Sequence, residues 1–145
     1  MVTRYRVLVD GVATGEALLL GEPLSLWGGF EPTTGEIIDA THPQVGETLT
    51  GRIVVMPHGR GSSSSSSVLA EALRLGTGPA GFVLSRPDSI LVIGSLVAKR
   101  LYGIVCPIVC GTDGEESAGV WTIDHDLVSV AHTRHQPGHC CDTGL

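Results

Sequence analysis

Lysine occurs once in these 145 residues, at Lys99, and aromatic side chains make up only 4%, two each of Trp, Tyr and Phe. Charged residues reach 17%, and the formal net charge is −6. No basic stripe is present to neutralise phosphates, so the composition argues against a nucleic-acid binder. The apolar runs are broken within about ten residues, too short to span a bilayer. Met1 to Arg6 is too polar to open a secretory signal, and no apolar stretch follows it. The four cysteines are therefore expected as thiols in a reducing, cytoplasmic setting. What the chain does have is 42% hydrophobic residues and a mean hydropathy of +0.26, which excludes disorder. Its length suits one domain with a real core. Glycine stands at 20 residues, well above the usual rate. A glycine-rich, aromatic-poor chain of this kind reads as an α/β domain with many tight turns.

Tyr5 to Val9 reads as a strand closed by the turn pair Asp10-Gly11, with Glu16 to Leu20 as its returning partner. Leu24 to Thr50 is too polar for a core element and too long for an ordinary connection, which marks it as a functional loop region. Within it, Leu24 to Trp27 and Glu36 to Ile38 are the candidates for a short strand pair. From Gly51 the pattern turns regular. Arg52 to Met56 is a buried-type strand, and Val68 to Leu75 carries a helical apolar stripe stopped by Gly76. Gly81 to Leu84 is a second strand. Asp88 or Ser89 caps a helix over Ile90–Tyr102, ended by Gly103, and Ile104 to Val109 is a third strand. The order predicts a parallel β-α-β-α-β core. Val120 to Ile123 and Leu127 to Val130 form a terminal hairpin, so antiparallel strands join the core from both ends. Residues 1–131 are expected as the domain and 132–145 as a flexible tail.

Three motifs carry chemistry. Pro57-His58-Gly59-Arg60-Gly61 followed by Ser62 to Ser67 lies between a buried strand and a helix. A serine linker would have nothing to link there. At the carboxyl end of a parallel strand the same residues make a binding loop. Its glycines admit a ligand, and its N–H groups at a helix N-terminus receive an anion such as a carboxylate. It is not a Walker loop, since no lysine lies nearby, and it lacks the order of a nucleophile elbow. His58 stands four residues before Ser62 as a conceivable base for it. The second motif is Trp27-Gly28-Gly29 with Asp39 and His42. Simple turn chemistry around a core Trp27 competes here with a loop presenting an Asp39–His42 carboxylate–imidazole pair to a cleft. The third is the tail, where His132, His135, His139, Cys140 and Cys141 invite a zinc reading, with adventitious binding as the alternative. Cys106 and Cys110 are expected on one side of a buried strand.

Taken together, Trp27-Gly28-Gly29, Pro32-x-Thr34-Gly35, Asp39-x-x-His42-Pro43, Gly59-Arg60-Gly61-Ser62-Ser63-Ser64 and Val68-Leu69 resemble the small subunit, or swivelling domain, of the aconitase X family. The likeness runs from about Gly21 to Val109. Ser64 follows the two serines, as in that family, whereas the wider aconitase superfamily has arginine there. Family loops usually carry glycine near Ser65 and Ser67, where this chain has serine. The resemblance implies a swivelling β/β/α-type fold and a hydro-lyase acting on a small hydroxy acid. Ser62 corresponds to the base that removes the proton α to the carboxylate. Gly61, Ser63, Ser64 and Arg60, with Gly28, Gly29, Asp39 and His42, correspond to the substrate site. It also implies a heterodimer or larger assembly. In it, a large subunit's cysteines hold an iron–sulfur cluster or a single iron that polarises the substrate, and no metal is bound by this chain alone. The segment from Trp27 to His42 would line the interface with that subunit.

Cis-3-hydroxy-L-proline and mevalonate 5-phosphate are the substrates the resemblance brings. Arg60 is the only basic residue in the loop, and eight arginines to one lysine is a composition typical of high-GC bacterial genomes; both favour the hydroxyproline. A stand-alone carboxylate-binding module using the same loop, and a serine hydrolase with a relay at Ser62, are the competing classes.

Overall fold

A computed structural model describes residues 2–111 and 117–131. Strands β1 (Val2–Arg4), β2 (Arg6–Val9) and β3 (Val12–Leu19) open the chain. A single-turn segment α1 (Leu26–Gly29) leads to a small hairpin of β4 (Phe30–Glu31) and β5 (Glu36–Ile37). Then β6 (Ile53–Met56), α2 (Ser65–Leu75), β7 (Gly81–Leu84), α3 (Ser89–Tyr102) and β8 (Ile108–Cys110) alternate. The hairpin β9 (Val120–Asp124) and β10 (Leu127–Ala131) ends the described chain.

The main sheet runs β1-β10-β9-β3-β6-β7-β8-β2, with β3, β6, β7 and β8 parallel and the outer pairings antiparallel. This is the expected mixed α/β architecture. Its two ends, β1 and β2, are neighbours in sequence, separated only by Tyr5. The first half of that segment pairs with β10 and the second with β8, so the sheet curls and both edges are joined. Sharing one segment between both ends leaves shorter open edges than a flat sheet would have.

Alternation along the strands divides the apolar residues between two cores. Ile53, Val55, Val83, Val109, Trp121, Ile123 and Val128 pack inside the curl with Tyr5. Val54, Met56, Phe82, Leu84 and Ile108 face Leu69, Leu73 and Leu91 of the helices, together with Leu24, Leu26, Phe30, Ile37 and Leu49 from the long crossover. Helices α2 and α3 pack closely where a Cβ on Gly94 would lie 2.7 Å from the carbonyl oxygen of Ser66. Both helices end on left-handed glycines, Gly76 (φ 79°) and Gly103 (φ 67°).

Three expectations need correction. Glu16–Leu20 does not return against Tyr5–Val9. The strand starts earlier, at Val12, and its two sides are taken by β9 and β6, while β2 pairs with β8. Non-local pairing decided over the local Asp-Gly turn signal. The third core strand begins at Ile108 rather than Ile104, because Pro107 has no N–H to give the ladder. Leu24–Trp27 is not a strand; Glu36–Ile37 pairs instead with Phe30–Glu31. The tail with His132, His135, His139, Cys140 and Cys141 lies outside the described residues.

At the β9–β10 turn, His125 has φ 56° and its Nδ1 sits 2.6 Å from Asp10 Oδ1. The hydrogen bond that His125 donates to Asp10, and the Asp10 charge, raise the His125 pKa above its ordinary 6.5, and the same bond lowers Asp10 below 3.8. The raised histidine contributes stability that is full below 6.5 and fades as pH rises through its folded value. The lowered Asp10 contributes stability that is full above 3.8 and fades as pH falls through its folded value. An NMR titration should therefore place His125 above 6.5, and Asp10→Asn should bring it back towards that value. An unmoved midpoint in the variant would contradict the pairing.

Candidate active site

The serine loop leaves β6 at the carboxyl edge of the parallel strands, where open α/β sheets place ligands. Gly59, Arg60, Gly61, Ser62 and Ser65 line a small cleft together with Leu24, Leu26, Asp88, Ile90 and Leu91. Helix α2 starts at Ser65, three residues before its apolar stripe, so the last three serines of the run belong to its first turn. No side chain caps this helix and no acidic residue sits in its first turn. Its first N–H groups turn back on the loop, Ser65 N–H to the Ser62 carbonyl and Ser66 N–H to the Ser63 carbonyl at 3.3 Å, and its positive end adjoins the cleft that Ser62 and Ser65 line.

Ser62 is half-buried, and its Oγ accepts a hydrogen bond from Ser64 N–H at 3.3 Å. The Ser62 carbonyl accepts from Ser65 N–H at 2.9 Å, closing a tight turn. Ser63 and Ser64 are exposed. Arg60 is exposed, and its backbone N–H donates to the Leu24 carbonyl at 3.1 Å. His58 Nδ1 donates to the Gly59 carbonyl at 2.7 Å, which ties the ring to its own loop.

The Trp27–His42 segment is brought beside this loop. Trp27 N–H donates to Ser65 Oγ at 3.2 Å, across 38 residues. Leu26 to Gly29 forms a type II turn, with Trp27 at φ −82°, ψ 111° and Gly28 at φ 81°, ψ −17°. A non-glycine residue at position 28 would be strained. Gly29 is buried, and its carbonyl accepts from Ile38 N–H at 2.9 Å, which draws Asp39 alongside.

The expected Asp39–His42 side-chain pair does not form. Asp39 Oδ1 accepts from Thr41 Oγ1 at 2.7 Å and Thr41 N–H at 2.9 Å. Those bonds lower its carboxyl below 3.8, with a smaller contribution from the charge of Arg60. His42 is buried, taking Gln44 N–H on Nδ1 at 3.1 Å and placing Nε2 3.1 Å from the Glu22 carbonyl. Both ring nitrogens are engaged by backbone, so His42 shapes the loop and Asp39 carries a negative charge near Arg60. Trp27 is not a core residue either, being 60% exposed.

Sequence reasoning saw Asp88 only as a helix cap. The structure also sets its carboxylate against the serine loop, at Gly59 N–H. Ser65 was likewise missed as the hydroxyl that anchors Trp27. Neither contact is local, so no short-range pattern announces it.

A family model of the aconitase X swivel domain matches residues 2–136. The chain belongs to the aconitase X swivel domain family. This swivel domain is 47% identical over 105 residues to a cis-3-hydroxy-L-proline dehydratase of Pseudomonas aeruginosa, covering 72% of this chain and 18% of that protein. Over 89 residues it is 44% identical to a phosphomevalonate dehydratase small subunit of Methanopyrus kandleri, covering 61% and 66% of the two chains. The crystal structure of holo-form aconitase X from Thermococcus kodakaraensis matches it with a TM-score of 0.81 at 26% identity, over 91% of this chain and 99% of that one. The swivel domain thus spans less than a fifth of the hydroxyproline dehydratase it matches, 18% of its length.

The described residues do not offer a ligand set for an iron centre. Among the described residues no group of three or more His, Cys, Asp or Glu could hold a metal ion. Cys106 is fully buried with its thiol pushed up to about 12, the wrong protonation state for a ligand.

Proposed function

We propose that this swivel domain completes the active site of a dehydratase whose iron centre sits on a large partner. That partner is either a separate subunit or the remainder of a longer chain. The substrate is cis-3-hydroxy-L-proline and the product Δ1-pyrroline-2-carboxylate. The observation that carries the reading is Ser62 Oγ in the cleft, receiving Ser64 N–H beside the uncapped start of an eleven-residue helix.

A serine hydroxyl is a weak base, and its alkoxide needs a positive, water-poor setting. The α2 N-terminus, the Ser64 N–H and the adjacent Arg60 supply positive potential. In the reaction the Ser62 alkoxide takes the proton from Cα of the substrate. The released pair forms the C2=C3 bond as hydroxide leaves C3, a departure assisted by groups this chain does not carry. The resulting enamine then tautomerises to the imine product. Ser63 and the loop N–H groups hold the substrate carboxylate, and Gly61 lets it approach the backbone.

Substrate choice follows from charge and likeness. Arg60 is the one cationic side chain lining the cleft, and Asp88 lines it too, a poor match for a phosphate-bearing substrate. The 47% identity to a hydroxyproline dehydratase points the same way. Trp27 (60% exposed), Ile38 (47%) and Val45 (48%) present apolar surface on the long crossover, and the large partner covers them. With that partner present, cis-3-hydroxy-L-proline should be dehydrated and mevalonate 5-phosphate left intact. The opposite selectivity would keep the loop chemistry and overturn the substrate.

A further inference from the structure

Asp88 uses its two carboxylate oxygens for two different tasks. Oδ1 accepts from Ile90 N–H at 3.0 Å and Leu91 N–H at 3.1 Å, capping α3. Oδ2 accepts from Gly59 N–H at 2.9 Å, across 29 residues, just three residues before Ser62. A Cβ at position 59 would stand 2.5 Å from that oxygen, so any larger residue there must push the loop and the carboxylate apart. One residue further on, Arg60 N–H is held by the Leu24 carbonyl at 3.1 Å. The loop is therefore pinned at two successive peptides immediately before the turn that carries Ser62.

We propose that Asp88 is a positioning residue for the serine loop: through Gly59 it fixes where Ser62 Oγ stands relative to the cleft. Its consequence for catalysis rests on the reading of Ser62 as the base. A hydrogen bond to an ionised acceptor is among the stronger kinds. Misplacing a reacting group by about 1 Å is enough to cost on the order of a hundredfold in rate. The clamp also links the start of α3 to the loop, so both sides of the cleft hold one geometry.

Asp88→Ser separates the two tasks, because serine is a good helix cap but is too short to reach Gly59 as well. In the full chain, the Gly59 amide should exchange with solvent roughly tenfold to a hundredfold faster in Asp88→Ser than in wild type. With the large partner present, kcat should fall on the order of tenfold to a hundredfold while KM moves less than about threefold. Gly59→Ala should lower kcat similarly by pushing the loop off the carboxylate. Asp88→Ser combined with Gly59→Ala should be no worse than Gly59→Ala alone, because both act through one contact.

An unchanged Gly59 amide in Asp88→Ser would overturn the clamp outright, whether or not any substrate has been found. A faster amide with undiminished kcat, or additive losses in the double variant, would overturn the positioning role and leave Ser62 as base intact. A wild-type assembly inactive on both substrates would instead sink the dehydratase reading, and the catalytic part of this inference with it.

Discussion

Ser62→Ala should remove roughly a hundredfold to ten-thousandfold of kcat from the assembled enzyme, the range typical of a lost general base. The fold should barely notice. Ser62 is half-buried, and its hydroxyl makes one long bond, 3.3 Å from Ser64 N. Losing that bond should shift stability by no more than about 0.5 kcal/mol. The separation between rate and stability is the informative part. An anchor for the loop would lose both together, and a carboxylate ligand would raise KM more than it lowers kcat. Ser63→Ala offers the contrast: in the proposed role it holds substrate, so its loss should appear chiefly in KM. Kinetics on the two variants side by side, with urea melts of each, make the check. If Ser62→Ala keeps more than about a tenth of wild-type kcat, the base is another group.

Trp121→Ala should cost about 3–5 kcal/mol of folding stability, the usual range for truncating a large buried aromatic. Trp121 is 2% exposed and packs inside the curl with Tyr5, Val55 and Ile123. Its Nε1 donates to the Ser117 carbonyl at 2.8 Å, so truncation also deprives that carbonyl of its donor. The residue lies on β9, whose pairings with β3 and β10 carry the sheet round towards its closing segment. Filling the interior of a closed sheet falls heavily on this side chain in a chain with only two tryptophans. Urea unfolding followed by far-UV circular dichroism measures the loss. A drop below about 1 kcal/mol would mean the curl does not depend on its interior as described.

What could be read from sequence divides along the distance of the contacts. Ile53–Met56 and Gly81–Leu84 declare themselves through short β-branched runs, and the helices through their apolar stripes. Gly76, Gly103 and Asp88 mark helix ends by local backbone chemistry, and all three do so in the structure. Sheet closure could not be read. Nothing in Val2 to Val9 says that its first half pairs with β10 and its second with β8, because those partners lie near the other end of the described chain. The local Asp10-Gly11 signal pointed to a hairpin that long-range pairing replaced.

The site shows the same division. Its serine loop was legible because glycines and hydroxyls stand between a buried strand and a helix. Asp39 and His42 were legible as residues of interest, but not the hydrogen bonds they make. Their three-residue spacing allows a pair, yet Thr41 and the backbone at Glu22 and Gln44 compete more effectively for the same atoms. Asp88 was seen as a cap and missed as the anchor of Gly59, a contact spanning 29 residues. An inward-facing hydrogen bond of that reach leaves no local trace.

The central claim is that this chain lends a catalytic serine to a site it cannot complete alone. The direct measurement is formation of Δ1-pyrroline-2-carboxylate from cis-3-hydroxy-L-proline by this chain, by the proposed large partner, and by the two together. Product should form only with both present and should be lost with Ser62→Ala. Full activity of the partner alone, or a stable iron-loaded assembly that eliminates water from neither hydroxyproline nor mevalonate 5-phosphate, would contradict it.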